Sequence, residues 1–148
     1  MATIPKLKAQ WKIIYDFKPT EYINNQFTSS LGVLVGGRVG LDIVFSSSQC
    51  GCLSCSQISL RRWRLDEEDQ LLLESRQLPT IGKWTRIEVS HEEEDGKYFL
   101  SFAVGGRELG RKEATDQEYR EMTDVRINIA EHRIQPGSIR RLLVLQKE

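Results

Sequence analysis

Hydrophobic and polar residues alternate along most of this chain with a period of two. In the segment 11–17, the side chains of Trp11, Ile13, Tyr15 and Phe17 share one face of that pattern. This period is typical of a β-strand with one buried face, because successive strand side chains point to opposite sides. Similar alternation or a short apolar run recurs downstream, and the pattern predicts about ten strands in all. The further segments are 31–35, 39–45, 58–65, 71–78, 85–90, 98–104, the residues after 106, 125–129 and 139–145.

Glycine-containing turns separate several of these segments. Gly36-Gly37-Arg38, Asp95-Gly96 and Gly105-Gly106 supply residues that tolerate the positive φ of tight hairpin turns. The segment 113–122 is the one helical candidate, but its apolar spacing is poor and predicts a loop with at most one helical turn. Strands without intervening amphipathic helices indicate an all-β antiparallel sandwich or barrel.

Length and charge narrow the classes of function. The chain's 148 residues suit a single domain, 1–148, and its 39% hydrophobic and 28% charged residues are ordinary for a globular protein. Lys and Arg number 21, as do Asp and Glu, so the net charge of zero argues against nucleic acid as a partner. Every apolar run is shorter than the roughly 20 residues that span a bilayer, so we expect no membrane insertion. The first residues show no signal peptide, which leaves the localisation open.

The segment 82–106 carries a distinctive succession of elements. It consists of Gly82-Lys83-Trp84, the alternating segment 85–89, Asp95-Gly96, the alternating segment 98–104 and Gly105-Gly106. In this succession the chain resembles laminin G-like and concanavalin A-like jelly-roll domains. The segments 11–17 and 139–145 are similar to the first and last strands of such a sandwich. The resemblance implies an all-β fold, an antiparallel jelly-roll β-sandwich.

The resemblance also implies a function. Such domains are mostly non-enzymatic modules that bind a glycan, a glycosaminoglycan or a protein, and many are extracellular. Some depend on calcium, but no motif in this chain places the calcium ligands, so we expect no cofactor and no metal. The galactoside-binding patterns of galectins, His-x-Asn-x-Arg and Trp-x-x-Glu-x-Arg, are absent from the sequence. Galactoside binding by that geometry is therefore not expected.

The loop 131–137 lies between two predicted strands, where sandwich proteins commonly carry ligand contacts. We predict Glu131, His132 and Arg133 as ligand-binding residues. A plain connecting loop is the competing interpretation, and the sequence does not decide between them.

Three cysteines, Cys50, Cys52 and Cys55, fall within six residues. A tetrahedral zinc site needs four ligands, and the two histidines of the chain are distant in sequence. In an oxidising compartment, one pair can form a disulfide, and an odd thiol can join two chains. A surface loop with free thiols is the third interpretation, and all three stay open.

The segment Arg61-Arg62-Trp63-Arg64 would suit an anionic glycan, because arginine pairs with sulfate or carboxylate and tryptophan stacks on sugars. Strand alternation, however, places Arg62 and Arg64 on one face and Arg61 and Trp63 on the other. We therefore predict cross-strand ion pairs, helped by the acidic run 66–69, and a core position for Trp63.

Acidic residues raise two further alternatives. The run 91–95 lacks the ligand spacing of a calcium loop, and we interpret it as a solvated hairpin tip. Glu88 and Glu92 have the spacing of a glycosidase carboxylate pair, which makes a hydrolase the third hypothesis. The sequence contains no nucleophile elbow and no phosphate-binding glycine loop, so we expect that the protein is not an enzyme.

The leading hypothesis is a lectin-like or laminin G-like recognition module for a glycan or protein partner. The alternative is a self-assembling protein that uses its sheet edges or the cysteine loop to form a homo-oligomer. A net charge of zero is compatible with association, because it minimises repulsion between copies.

Overall fold

The chain folds almost entirely into β-strands. The computed structural model describes residues 2–23, 26–47, 57–68, 70–128 and 133–147. Within these residues the strands are β1 (Ala2–Leu7), β2 (Gln10–Pro19), β3 (Phe27–Val35), β4 (Val39–Ser46), β5 (Gln57–Arg64), β6 (Gln70–Ser75), β7 (Thr85–Glu94), β8 (Lys97–Val104), β9 (Arg107–Glu113), β10 (Met122–Asn128), β11 (Arg133–Ile134) and β12 (Gly137–Lys147). The prediction of an all-β fold is confirmed.

The strands form two sheets that pack face to face. The seven-stranded sheet has the order β1-β10-β3-β4-β5-β6, with β11 paired in parallel beside β3. The five-stranded sheet has the order β12-β2-β7-β8-β9, and its neighbours are antiparallel. The chain crosses from one sheet to the other after β1, β2, β6, β9 and β11. These crossings confirm the predicted jelly-roll sandwich.

The period of two places one face of each central strand in the core. The four residues predicted to share a face of β2 are all buried: Trp11, Ile13, Tyr15 and Phe17. The Tyr15 hydroxyl meets the Ser30 hydroxyl across the sandwich at 2.7 Å, and Nε1 of Trp11 donates to the carbonyl oxygen of Tyr119 at 3.1 Å, so both polar atoms of this face are paired. Burial raises the pKa of Tyr15, which keeps its phenol neutral.

The predicted hairpin turns adopt the expected backbone. Asp95 and Gly96 join β7 to β8 with φ of 53° and 80°. Gly105 and Gly106 join β8 to β9 with φ of 62° and 82°. Both central residues of a two-residue turn with this twist need positive φ, which glycine and aspartate tolerate best.

Two strands were not predicted. β1 contains Pro5, a residue that disfavours a central strand but is tolerated at a sheet edge, where β1 lies. β11 has only two residues, and it becomes a strand because its backbone pairs with Thr28 and Ser29. Neither segment has an alternation of its own that a sequence pattern can reveal.

Helical structure is minor in the described part of the chain. The 3-10 helix Gln117–Tyr119 lies in the segment predicted as a loop with at most one helical turn, and that prediction is confirmed. Across the described residues, no helix is long and apolar enough to cross a membrane.

His91 departs from the predicted solvated hairpin tip. Glu92 and the residues after it are exposed, but the His91 ring is buried between the rings of Trp11 and Tyr98, with centroids 5.6 and 4.9 Å away. Its Nδ1 lies 2.6 Å from the carbonyl oxygen of Ala9. Burial lowers the pKa of His91, because the charged form would lose its hydration. The interpretation of residue 91 as solvated is therefore wrong, since strand alternation turns its side chain into the core.

Candidate functional site

The candidate site lies at the end of the seven-stranded sheet where β3 begins, β4 ends and β5 begins. Phe27 of β3 pairs with Ser46 of β4, and Ser46 pairs with Gln57 of β5. On the other side of β3, Arg133 of β11 pairs with Thr28. The sheet therefore brings the predicted ligand residue Arg133 to the same end as the two strand ends that flank the cysteine segment.

An exposed aromatic ring marks this end. We name five residues at this end of the sheet the Phe27 platform: the exposed Phe27, Arg133 and Ile134 and the half-buried Gln26 and Arg61. The Phe27 side chain is 56% exposed, and the guanidinium carbon of Arg61 lies 5.1 Å from its ring centroid. Arg133 donates a hydrogen bond from Nη1 to Oε1 of Gln26 at 2.8 Å. The Phe27 ring thus meets the Arg61 guanidinium across β4, and Arg133 lies at the same end of the sheet, on β11.

A bulge in β3 turns Phe27 outward. Between Ser29 and Leu31 the register of β3 shifts against β4 at the additional residue Ser30, whose hydroxyl meets Tyr15 inside the sandwich. The shift reverses the alternation, so Phe27 does not share the core face of Leu31. Alternation extended from Leu31 would have placed Phe27 in the core, which is why sequence reasoning missed this residue.

Buried polar side chains connect the strands beside the platform. Asp42 of β4 stands opposite Arg61 of β5 in the register and is only 4% exposed. The Ser29 hydroxyl donates to Asp42, and the Thr28 hydroxyl donates to Oε1 of the buried Gln135. Hydrogen bonds between buried side chains restrict movement, so they hold β3, β4 and the residues after β11 in a fixed arrangement.

The structure describes one of the predicted site residues. Arg133 is exposed, as a ligand-binding residue must be, but it belongs to the short strand β11 and not to a loop. The others lie outside the described residues: Glu131, His132, Cys50, Cys52 and Cys55. The three interpretations of the cysteines therefore stay predictions.

The arginine-rich segment divides between the two faces of β5 as predicted. Arg62 holds Asp116 with two hydrogen bonds, from Nε to Oδ2 at 2.6 Å and from Nη2 to Oδ1 at 2.9 Å. Arg64 donates from Nη1 to the same carboxylate at 3.1 Å. The arginines form ion pairs, but not across strands as predicted: the principal partner is Asp116, in the segment between β9 and β10. Glu67, at 3.2 Å from Arg62, is the partner that the predicted run 66–69 supplies within the described residues.

Two carboxylates of this network, those of Asp116 and Glu118, are held in the charged form. Hydrogen bonding to Arg62 lowers the pKa of Asp116, and hydrogen bonding to Arg64 lowers the pKa of Glu118. The Asp116 and Arg62 side chains are mostly buried, so the network joins β5 to the segment around the 3-10 helix.

The predicted core position of Trp63 is wrong. Trp63 is half-buried, and it pairs with Gly40 on the outer face of the seven-stranded sheet. A Cβ on Gly40 would lie 3.5 Å from the indole and 2.7 Å from the carbonyl oxygen of Val33. The absence of a side chain at Gly40 leaves room for the indole to lie on the sheet surface.

Glu88 and Glu92 lie on the outer face of the five-stranded sheet. They flank an open groove of about 250 Å³, which is lined by Lys12, Glu88, Ser90, Glu92, Ser101, Ala103, Gly106 and Glu108. Both carboxylates come from one strand, β7, and point to one side of it. They therefore have the same-strand spacing that the hydrolase hypothesis needs, and Glu108 of β9 lines the same groove. Among the residues that the structure describes, no three His, Cys, Asp or Glu side chains are grouped to hold a metal ion.

Comparison of sequences places the chain in no known family. No family model matches it, and no curated protein matches it.

Solved structures share the fold at low sequence identity. A heptameric SAP-like pentraxin from Limulus polyphemus matches with a TM-score of 0.62 and 12% identity, over 97% of this chain and 66% of the pentraxin chain. The ancestral congerin Con-anc matches with a TM-score of 0.53 and 12% identity, over 98% of this chain and 100% of the congerin.

A viral enzyme contains the same architecture within a longer chain. The enzymatically active domain of tailspike protein 2 from bacteriophage CBA120 matches with a TM-score of 0.57 and 12% identity, over 96% of this chain. The chain spans only 23% of the length of that tailspike domain. At such identities the likeness concerns the fold alone. This protein has a lectin-like jelly-roll β-sandwich fold.

Proposed function

We propose that this protein is a non-enzymatic glycan-binding module, and that the Phe27 platform is its binding surface. The observation that carries the proposal is the 56% exposure of the Phe27 ring beside the Arg61 guanidinium, 5.1 Å from the ring centroid. An exposed aromatic ring beside a guanidinium group offers a ligand both apolar area to cover and hydrogen-bond donors.

The chemistry of the platform suits a sugar. The face of an aromatic ring carries negative charge density, so it attracts the polarised C–H groups on one side of a sugar ring. Arg61 offers N–H donors beside that face, and Arg133 with the Gln26 carbonyl that it holds lies at the same end of the sheet. A few polar groups of fixed direction around an apolar surface are typical of ligand sites.

The comparisons support a lectin-like module, without indicating its binding surface. A pentraxin and a congerin share this fold over nearly the whole chain. The tailspike enzyme domain has it as well, so the fold alone does not exclude catalysis. The Phe27 platform has no carboxylate among its residues to act as a general acid, and this favours binding over hydrolysis there.

A glycan array followed by titration calorimetry tests the proposal. We expect Phe27→Ala to weaken binding of the best array glycan by about tenfold, because the ring supplies the apolar contact. Arg133→Ala should weaken binding by a smaller factor. Ile81→Ala is the matched control, since Ile81 is 52% exposed but belongs to the turn before β7. Equal affinity of the Phe27 and Ile81 variants, or an array without a glycan ligand, would contradict the proposal.

A second candidate function is self-association through β12. Within the described parts of the chain, this edge strand of the five-stranded sheet pairs on one side only, with β2, and Leu143 and Leu145 are 52% and 48% exposed. Exposed leucines beside unpaired backbone groups favour the addition of a further strand. Native mass spectrometry of the wild type and of Leu143→Lys/Leu145→Lys tests it. An oligomer that the two lysines dissociate supports the assembly function, and a monomeric wild type excludes it under those conditions.

A further inference from the structure

One end of the outer face of the five-stranded sheet carries arginines around a single carboxylate. Asp16 of β2 is only 6% exposed. Its Oδ2 lies 3.3 Å from Nε of Arg140 and 3.8 Å from Nη1 of Arg141, and its Oδ1 lies 3.7 Å from Nε of Arg86. Of these three contacts, the shortest is also a hydrogen bond. One carboxylate therefore faces three guanidinium groups.

An indole holds further positive charge at the same place. The guanidinium carbon of Arg140 lies 4.0 Å from the ring centroid of Trp84, and Nζ of Lys18 lies 5.1 Å from it. Cations are attracted to the face of an indole, so Trp84 keeps both groups near Asp16. We name Lys18, Arg86, Arg140 and Arg141 the basic cluster.

The charge of the basic cluster is not balanced. Among the residues that the structure describes, four cations stand against the one carboxylate of Asp16, although the whole chain has a net charge of zero. The side chains of Arg86 and Arg141 are 56% and 68% exposed. Each guanidinium has five N–H donors, and the long contacts to Asp16 leave most of them directed to solvent.

A bulge in β12 supplies the second observation. Arg140 pairs with Asp16 and Leu143 pairs with Ile14, so β12 has one more residue than β2 between these pairs. Arg141 lies in the bulge with φ of 54°, a conformation that costs free energy for any residue except glycine. Unbroken alternation would have turned Arg141 toward the core, on the side of Ile139. The bulge instead directs it outward to join Arg140 beside Asp16.

We propose that the basic cluster binds the oxyanion of a sulfate or phosphate monoester carried on a sugar or a polyol. Arginine suits this chemistry, because its planar fork donates two parallel hydrogen bonds to neighbouring oxygens of one oxyanion. Asp16 and Trp84 hold the guanidinium groups in place before the ligand arrives. The site lies on the opposite sheet from the Phe27 platform, so the two proposals can fail independently.

Isothermal titration with sucrose octasulfate and with inositol hexakisphosphate tests the proposal and separates its two sources of oxyanion. Unesterified sucrose and myo-inositol are the matched ligands without charge. We expect Arg86→Ala/Arg141→Ala to weaken binding of the preferred ester by about tenfold or more, since two of the four cations are lost. Arg38→Ala/Arg126→Ala removes the same charge at exposed positions near the seven-stranded sheet and should bind as the wild type does.

Charge-conserving variants complete the test. We expect Arg86→Lys/Arg141→Lys to bind more weakly than the wild type, because lysine keeps the charge but lacks the planar fork. The proposal is overturned if neither ester binds, if both double-alanine variants lose affinity equally, or if the uncharged sugars bind as tightly as the esters. Circular dichroism of each variant checks that the sheets are retained.

Discussion

Two arginine networks in this protein differ in how their charge is balanced. Arg62 and Arg64 meet Asp116 at 2.6 to 3.1 Å, Glu118 lies 3.0 Å from Arg64 and Glu67 lies 3.2 Å from Arg62, so each of the two cations faces at least one carboxylate at close range. The basic cluster places four cations around Asp16, at contacts of 3.3 to 3.8 Å for its arginines. In the first network, the Arg62 and Asp116 side chains are mostly buried and hydrogen-bonded to each other. In the second, the Arg86 and Arg141 side chains are exposed and have N–H donors that Asp16 does not use.

Arginine therefore has two different roles in this protein. A buried and balanced network links segments that are distant in sequence, and its loss leaves a desolvated charge without a partner. An exposed and unbalanced cluster contributes little to stability, because water and salt screen each pair. We therefore expect substitutions in the first network to change the free energy of unfolding and substitutions in the second to change ligand binding.

The largest effect is expected from Asp116→Asn. It leaves Arg62 and Arg64 without their shared carboxylate, and we expect the free energy of unfolding to fall by about 2 kcal/mol. Urea denaturation followed by tryptophan fluorescence measures this change. Asp124→Asn is the control, because the exposed pair of Asp124 with Arg126 at 3.7 Å should contribute less than about 0.5 kcal/mol. A similar loss of unfolding free energy in both variants would contradict this prediction, because it would show that the buried and exposed pairs contribute equally.

Arg62→Lys should have a smaller effect. Lysine retains the charge but cannot form the two parallel bonds that Arg62 makes to Asp116, and we expect a loss of about 1 kcal/mol. The same urea experiment applies. The matched substitution in the basic cluster, Arg86→Lys, should leave the urea midpoint unchanged. If Arg86→Lys destabilises the protein as much, the basic cluster is structural.

Lowering the pH should remove part of the stabilisation that Asp116 contributes to the folded state. Its pKa is lowered in the folded state, chiefly by the hydrogen bond from Arg62, so the unfolded chain binds the proton more readily. The stabilisation is therefore complete above the unfolded pKa of about 3.9 and is lost as the pH falls through the lower folded value. Urea titrations from neutral pH into this acidic range should show the wild type and Asp116→Asn converging in stability. A difference that stays constant would show that ionisation of Asp116 has no part in it.

The smallest effect on stability is expected from Arg141→Gly. Glycine accommodates the φ of 54° without strain, but it also makes the unfolded chain more flexible, and we expect the two to cancel within about 1 kcal/mol. Binding of the esters should nevertheless weaken, because the exposed guanidinium is lost. Thermal unfolding and calorimetry on the same sample separate these quantities. A strongly destabilised variant would mean that Arg141 holds the bulge together and is not kept for a ligand.

Much of the sandwich was predictable from local pattern. The alternation of Trp11, Ile13, Tyr15 and Phe17 and the Asp95-Gly96 turn specify strands and hairpins through steric preferences of neighbouring residues. The same reasoning separated the faces of the arginine-rich segment. Local pattern did not predict β1 and β11, which are strands because their backbones pair with β10 and β3.

The candidate sites were less predictable, because both depend on register. Phe27 faces outward because of the bulge in β3, and Arg141 does so because of the bulge in β12. A bulge is decided by the fit between two strands, and neither strand's sequence reveals it alone. Arg133 was predicted from its place beside a strand, and the structure brings it to the Phe27 platform.

The sequence by itself determined most strand-forming segments, their turns and an all-β antiparallel architecture, since these follow from a period of two and from residues that allow positive φ. The jelly-roll arrangement was expected from the resemblance to laminin G-like and concanavalin A-like domains. Tertiary structure alone decided that Arg62 pairs with Asp116, 54 residues further along the chain, and that four cations gather around Asp16. Side-chain partners across a sandwich are chosen by strand order and register, which depend on the packing of the whole chain. A local pattern indicates which residues share a face of a strand. It does not indicate which side chains of other strands that face will contact.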